Sequence, residues 1–162
     1  LPFRAALGGS SVNVSLSPEL VETIRRHAEA TYPEECCGFL VAREPAGETH
    51  PIRRLVRVAP MENEVEGLRG RRFVIPPETL RQFESSLEGT GEAVVGFYHS
   101  HPDHPAVPSL FDQEHAWPWY TYLVLAVDHG RAGDIGAFEL DPDLRRFSPV
   151  SWTAERLETA SR

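Results

Sequence analysis

Three short runs of apolar residues constrain the fold of this 162-residue chain more than any other feature. They occupy residues 38–42, 93–98 and 122–127. Each run has the length of a buried strand, and none approaches the ~20 residues that a membrane-spanning helix needs. They therefore predict buried strands in one sheet, with residues 93–98 as a central strand.

Helical patterns separate these runs. Ser17 followed by Pro18 is typical of a helix start, and apolar residues follow at helical spacing as far as Pro33. A second helix is expected from Pro76 to about Gly89, and a short third helix from Ser109. Further strands are expected at residues 12–16, 52–58, 72–75, 135–140 and 147–152, with residues 60–71 and 99–108 as loops.

Mixed hairpin and crossover connections make the fold class α/β, with a mixed central β-sheet flanked by helices. A chain of this length suggests one domain, which we place at residues 12–152. Residues 1–11 are expected to form a flexible N-terminal arm, and residues 153–162 a C-terminal tail that includes a short helix over 154–160.

Charge and cysteine content exclude some classes of partner. Acidic residues outnumber basic ones by 24 to 16, and this net charge of -8 disfavours a nucleic-acid partner. No segment suggests membrane insertion. Cys36 and Cys37 are adjacent and close no useful disulfide loop, which favours a reducing, cytoplasmic location. At least one of the two thiols is expected to be buried in packing.

Residues 99–112 concentrate side chains that bind metals. His99 and His101 are two apart at the end of a predicted strand, so both rings lie on one face. Asp112 follows Ser109 by three residues on a predicted helix, so these two side chains also share a face. Two histidines and one carboxylate leave one tetrahedral position open, as in catalytic zinc sites, where bound water has a pKa near ~7. Ser109 and Asp112 also fit a simple helix capping box.

A hydrolytic zinc site needs a general base as well. Glu34 and Glu35 directly precede the strand at residues 38–42. If that strand lies beside the central strand, one of these carboxylates reaches the metal site. The residues themselves do not choose between the two.

Two segments carry a family resemblance. The spacing His-x-His, seven residues, Ser, two residues, Asp is met at His99, His101, Ser109 and Asp112. Residues 35–40, Glu-Cys-Cys-Gly-Phe-Leu, resemble a second segment of the same proteins. Together they resemble the JAMM (MPN+) zinc metalloproteases, over roughly residues 12–140.

The resemblance implies a role for each matching position. His99, His101 and Asp112 would bind one Zn²⁺ per chain. Glu35 would be the general base, and Ser109 would stabilise the oxyanion. The fold would be a single MPN/JAMM domain of cytidine-deaminase-like architecture. Asn63, followed by residues 72–76, resembles a structural stretch of the family.

The resemblance also implies a substrate. The family cleaves peptide or isopeptide bonds after the Gly-Gly tail of ubiquitin-like proteins, and compact prokaryotic members act on β-grasp sulfur carriers or protein modifiers. Residues 113–134 are too short for a second zinc site, which disfavours specificity for polyubiquitin linkages. Substrate-binding residues and oligomeric state stay undetermined.

Two other functions compete with this hypothesis. Residues 99–104 also spell His-x-His-x-Asp-His, the signature of metallo-β-lactamase-fold hydrolases, which would use Asp103 and His104. The absence of later ligands beyond His115 and His129 counts against that class. The second alternative is a non-catalytic scaffold that binds ubiquitin-like tails.

Several residues near the motif receive weaker predictions. Asp103, His104 and His115 are expected near the site without binding the metal. Four aromatic residues are expected mainly in core packing, with a groove for a peptide tail as the alternative: Trp117, Trp119, Tyr120 and Tyr122. Gly8-Gly9 resembles the tail of a ubiquitin-like protein, although a flexible linker explains it more simply.

Overall fold

The computed structural model describes residues 12–43 and 52–155. Within these ranges the chain forms seven strands and three helices. In chain order they are β1 (Val12–Leu16), α1 (Pro18–Thr31), β2 (Cys37–Arg43), β3 (Arg53–Met61), α2 (Pro77–Ser86), β4 (Glu92–Pro102), α3 (Leu110–His115), β5 (Thr121–Asp128), β6 (Arg131–Asp141) and β7 (Arg146–Ala154). The α/β prediction and the central position of the 93–98 strand are confirmed.

The strands form one sheet in the order β1-β3-β2-β4-β5-β6-β7, which closes because β7 also pairs with β1. Strand pairs β1–β3, β1–β7 and β4–β5 are parallel, and the other neighbours are antiparallel. The mixed sheet is as predicted. Its closure into a barrel was not predicted, because it joins strands from the two ends of the chain.

Helix α1 covers one face of the sheet. The Ser17 side chain accepts a hydrogen bond from the Leu20 N–H and Pro18 occupies the first turn, as the sequence predicts. Ile24 and Ala28 face the sheet and are buried with Tyr98 in one hydrophobic core. This face is sealed by apolar packing.

Helix α2 and the segment after α3 contact the opposite face. Leu80 of α2 and Ala116, which follows α3, pack into a second core. This core also contains Phe39, Phe97 and Tyr122. Strand β4 therefore lies between the two cores: Val95 and Tyr98 enter the first, and Val94 and Phe97 enter the second. The alternation is offset at Val95, where the pairing with β2 shifts register.

Two boundary predictions are wrong. Strand β4 runs to Pro102, so His99 and His101 lie on the strand and not in a loop. Ala154 belongs to β7 and not to a helix; the rest of the expected helix, like the arm at residues 1–11, lies outside the described residues.

The predicted strand at residues 72–75 is absent because a side chain takes the place of a neighbouring strand. The amide of Asn63 donates to the Arg72 carbonyl oxygen and accepts from the Val74 N–H. The Glu64 N–H donates to the Val74 carbonyl oxygen. These bonds hold the segment extended outside the sheet.

None of the helices within residues 12–43 and 52–155 is both long and apolar enough to span a membrane.

Candidate metal centre

Strand β4 places both histidines of the motif. His99 and His101 are two residues apart on it and both are buried. The His101 Nδ1–H donates to the Pro105 carbonyl oxygen at 2.9 Å, which leaves its Nε2 with a free lone pair when the ring is neutral. The strand and this hydrogen bond aim the His101 Nε2 into the space that it shares with His99.

Three ligand-type atoms meet in that space. His99 Nε2, His101 Nε2 and Asp112 Oδ2 form a triangle whose three sides are each 3.1 Å. Hydrogen atoms cannot satisfy all three contacts, because an Nε2–H that donates to Asp112 cannot offer a lone pair to the other ring. Ligand atoms in a tetrahedral zinc site stand roughly 3.3 Å apart. The donor set therefore fits a single zinc ion.

Helix α3 presents Asp112 and Ser109 together. The Ser109 N–H donates to Asp112 Oδ2 at 2.8 Å, and the Asp112 N–H donates to Ser109 Oγ at 3.1 Å. This is the capping box that the sequence allowed, and it fixes the carboxylate whose Oδ2 faces the two histidines. Ser109 Oγ accepts in the cap and keeps its hydroxyl hydrogen for another acceptor.

The charge state of Asp112 suits a cation. Burial alone would raise its pKa, but His99, His101 and the Ser109 N–H hold the pKa of Asp112 well below its usual range. The carboxylate is therefore ionised at any physiological pH.

The pairing of β2 with β4 distinguishes the two candidate bases. Cys37 lies opposite His99 in the antiparallel register, so the residues just before β2 reach the metal site. Glu35 is 2% exposed, whereas Glu34 is exposed to solvent. Ligand-type atoms of Glu35, His99 and His101 lie within 4.8 Å of one another. The structure thus brings Glu35, and not Glu34, to the histidines.

The Glu35 carboxyl group is held in an unusual environment. Its Oε1 is buried and has no hydrogen-bond partner among the described residues. Burial raises the pKa of Glu35 to about 8, a change that the nearby His101 opposes. A carboxyl group with an elevated pKa beside a set of metal-binding atoms can move protons near neutral pH.

The His99 ring has a wall that the sequence did not indicate. Phe73 stacks on it with ring centroids 4.5 Å apart and planes inclined by 26°. His99 Nδ1 is buried and, in the described part of the chain, has no hydrogen-bond partner. The sequence pattern around Phe73 predicted only a strand, so it carried no signal of this contact.

The other candidate residues lie apart from the three atoms. Asp103 is exposed and accepts hydrogen bonds from the Tyr32 hydroxyl and the His129 N–H. His104 is exposed, and His115 bonds to the Phe111 carbonyl oxygen. Both cysteines are free and buried, and burial raises the pKa of the Cys36 thiol to about 11.

A cavity of about 440 Å³ opens beside His99 and Asp112. Its walls are mostly apolar, and they come from the 73–75 segment, α2, β4 and the segment after α3. The expectation of core packing holds for the buried Tyr122. Trp117 lines the cavity and is 38% exposed, while Trp119 is 79% exposed and outside both cores. A groove therefore reaches the candidate metal centre.

Comparison with known proteins gives one family and several relatives. Residues 17–141 match the family described as prokaryotic homologs of the JAB domain. The chain is 34% identical over 124 residues to the desampylase of Haloferax volcanii, a match that covers 74% of this chain and 84% of that protein. It is 30% identical over 113 residues to a probable TtuB-protein conjugate cleaving protease of Thermus thermophilus, covering 70% of each.

The fold also has a counterpart among solved structures. A solution structure of a protein from Desulfitobacterium hafniense superposes with a TM-score of 0.74 at 24% identity, covering 90% of this chain and 95% of that one. This similarity supports the fold alone.

Proposed function

Because the chain belongs to the family of prokaryotic homologs of the JAB domain and is therefore a JAMM-type protease, we propose that it hydrolyses the bond after the C-terminal Gly-Gly of a ubiquitin-like or sulfur-carrier protein. The names of two relatives, desampylase and TtuB-protein conjugate cleaving protease, support this class of substrate. The observation that carries the proposal is the 3.1 Å triangle of His99 Nε2, His101 Nε2 and Asp112 Oδ2.

In this proposal one Zn²⁺ is held by His99, His101 and Asp112. When bound, zinc supplies Lewis-acid polarisation of the scissile carbonyl and makes water a better nucleophile. The capping box keeps Asp112 in its orientation, and the Pro105 carbonyl oxygen keeps His101 in the tautomer that leaves Nε2 free.

Glu35 moves the proton. A dication held by the three side chains would favour the ionised form of this buried carboxyl group, which would then accept a proton from the attacking water. Its carboxyl group then delivers that proton to the leaving amine. Ser109 donates its free hydroxyl hydrogen to the oxyanion that develops on the substrate.

The groove receives the substrate tail in an extended form. A Gly-Gly tail has no side chains to accommodate, and Phe73 and residues of α3 line the groove that would receive it; apolar walls suit the residues that precede the tail. The buried, free cysteines fit the reducing cytoplasm in which we place the enzyme.

The alternatives have less support. A metallo-β-lactamase-like site would need Asp103 and His104, which are exposed and are not part of the triangle. A non-catalytic scaffold gives no reason to bury the unpartnered Glu35 Oε1 beside two histidines.

The proposal is tested by offering the zinc-loaded enzyme each β-grasp protein of its own genome with a C-terminal extension after Gly-Gly. We expect cleavage after the second glycine of at least one of them, read by mass spectrometry. The same substrate ending in Ala-Ala and the variant Glu35→Gln serve as controls. The proposal is contradicted if the wild-type enzyme cleaves none of the β-grasp proteins, or if Glu35→Gln cleaves them equally well.

A further inference from the structure

Asn63 uses its whole hydrogen-bonding capacity on the backbone of its own loop and of Glu35. Its Nδ2 donates to the Glu35 carbonyl oxygen at 3.2 Å and to the Arg72 carbonyl oxygen at 2.9 Å. Its Oδ1 accepts from the N–H groups of Val65 and Val74, at 3.2 and 3.1 Å. An amide side chain has two donor hydrogens and two acceptor lone pairs, so all four are used.

One of these four bonds, from Asn63 Nδ2 to the Glu35 carbonyl oxygen, helps to fix the backbone that carries the proposed general base. Besides the bond from Asn63, the Glu35 N–H donates to the Arg69 carbonyl oxygen at 2.7 Å. The next residue, Cys36, is held through its N–H by Ser100 Oγ at 2.8 Å. Because Glu35 Oε1 has no partner of its own in the described structure, the position of the carboxyl group depends on these backbone bonds.

Two more of the four bonds fix the wall beside His99. The bonds from Asn63 to Arg72 and Val74 lie on either side of Phe73, whose ring stacks on the His99 imidazole. This extended segment has no neighbouring strand, so the amide of Asn63 replaces the strand that would otherwise define its position.

We infer that Asn63 is a positioning residue that sets the placement of the Glu35 carboxyl group relative to the Phe73–His99 stack. Within the described residues its four hydrogen bonds all join backbone groups, and none of them belongs to His99, His101 or Asp112. The inference rests on the proposed function, because the placement of Glu35 affects catalysis only if Glu35 is the general base. Asn63 itself is not one of the proposed metal ligands. A residue that only stabilised the loop would affect folding without a selective effect on catalysis.

The sharpest variant is Asn63→Asp. It keeps the size and the acceptor oxygen but loses the two N–H donors to the Glu35 and Arg72 carbonyl oxygens. We expect kcat of the zinc-loaded enzyme to fall about 30-fold, within the range for residues that orient catalytic groups, while KM changes less than about threefold. Zinc affinity, measured by competition with a chelator, should also stay within about threefold, because no metal ligand is altered.

Arg53→Met is the matched control. Arg53 Nη1 donates to the Val95 carbonyl oxygen and to Thr121 Oγ1, so it also links separate strands, but away from the ligands. We expect Arg53→Met to lower the melting temperature and to leave kcat of the folded enzyme unchanged. Wild-type kcat in Asn63→Asp, a change in KM alone, or an equal loss of kcat in Arg53→Met would overturn the inference.

Hydrogen exchange on the unmodified zinc-loaded enzyme provides a test that needs neither a variant nor a substrate. The amides of Glu35, Val65 and Val74 should be protected and should exchange together as one unit. Independent exchange of the Glu35 and Val74 amides would overturn the inference even if Asn63→Asp does not fold. If the wild-type enzyme cleaves no substrate, the proposed function fails, and the exchange result still tests whether Asn63 couples the Glu35 backbone to the segment that carries Phe73.

Discussion

The two faces of strand β4 differ in how they treat buried polar groups. On the face covered by α1, the fully buried Tyr98 pairs its hydroxyl with His27 Nδ1 at 2.8 Å. On the opposite face, which we call the site face, the equally buried His99 has an Nδ1 without a partner in the described structure, and the same is true of Glu35 Oε1.

This contrast separates folding from function. A buried polar atom without a partner costs roughly 1–3 kcal/mol, so selection for stability alone does not explain why Glu35 Oε1 and His99 Nδ1 are both retained. The α1 face satisfies its polar groups with the protein itself. The site face leaves ligand atoms directed at one another, an arrangement that a cation stabilises.

The largest effects should come from the site face. We expect His99→Ala to lose both zinc and activity, and Glu35→Gln to keep one equivalent of zinc while kcat falls about 1000-fold or more, because the proton transfer has no acceptor. Metal content by atomic emission and turnover by mass spectrometry measure the two properties separately. If His99→Ala retains zinc, or if Glu35→Gln loses it, the roles assigned to the two residues of the site face are contradicted.

A second prediction concerns pH in the metal-free protein. The pKa of Glu35 is about 8 when folded, against an ordinary value of 4.5, so the native state binds more protons between these values and loses stability as pH rises through them. Glu35→Gln should therefore gain stability over the wild type from pH 5 to pH 8, by at most about 5 kcal/mol. Urea unfolding at several pH values measures it.

Plotted against pH, the unfolding free energies of the wild type and of Glu35→Gln should converge near pH 5, where the Glu35 carboxyl group of the folded wild type is protonated. If the two proteins differ in unfolding free energy by the same amount at pH 5 and at pH 8, the ionised Glu35 carboxyl group is not destabilised by burial.

A third prediction tests the α1 face. Ile24 is fully buried between α1 and the sheet, and Ile24→Ala should cost about 3 kcal/mol of unfolding free energy by leaving a cavity. The folded fraction should keep its kcat and its zinc. Denaturant titration and activity below the unfolding midpoint check this; a loss of zinc would show that the two faces are not independent.

The smallest effect is expected for Tyr98→Phe. It removes one hydrogen bond to the half-buried His27, so the unfolding free energy should fall by about 1 kcal/mol. Although Tyr98 is adjacent to His99, its side chain lies in the other core, so kcat should stay within about twofold. A tenfold fall in kcat would contradict the separation of the two faces.

The sequence predicted most of the fold because local signals agree with it. Ser17 and Pro18 are a local signal that is sufficient to start α1. The three apolar runs form buried strands, as their length and composition predict. The 72–75 segment was mispredicted because the partner of its backbone is a side chain, that of Asn63, nine residues from Arg72. Closure of the sheet depends on pairing of β1 with β7, which no local pattern encodes.

The site was partly predictable for the same reason. Spacing alone placed His99 and His101 on one face, and Asp112 beside Ser109. The choice of Glu35 over Glu34 depends on the register of β2 against β4, which decides which carboxylate is buried. The stack of Phe73 on His99 depends on a loop whose path is set by long-range hydrogen bonds, so sequence spacing could not indicate it.

Anomalous diffraction at the zinc edge from crystals grown with the metal tests the central claim most directly. The account predicts one strong peak per chain, about 2.0–2.2 Å from His99 Nε2, His101 Nε2 and Asp112 Oδ2. A peak only at the exposed group of Asp103, Asp128 and His129, or no peak between the two histidines at saturating zinc, would contradict it.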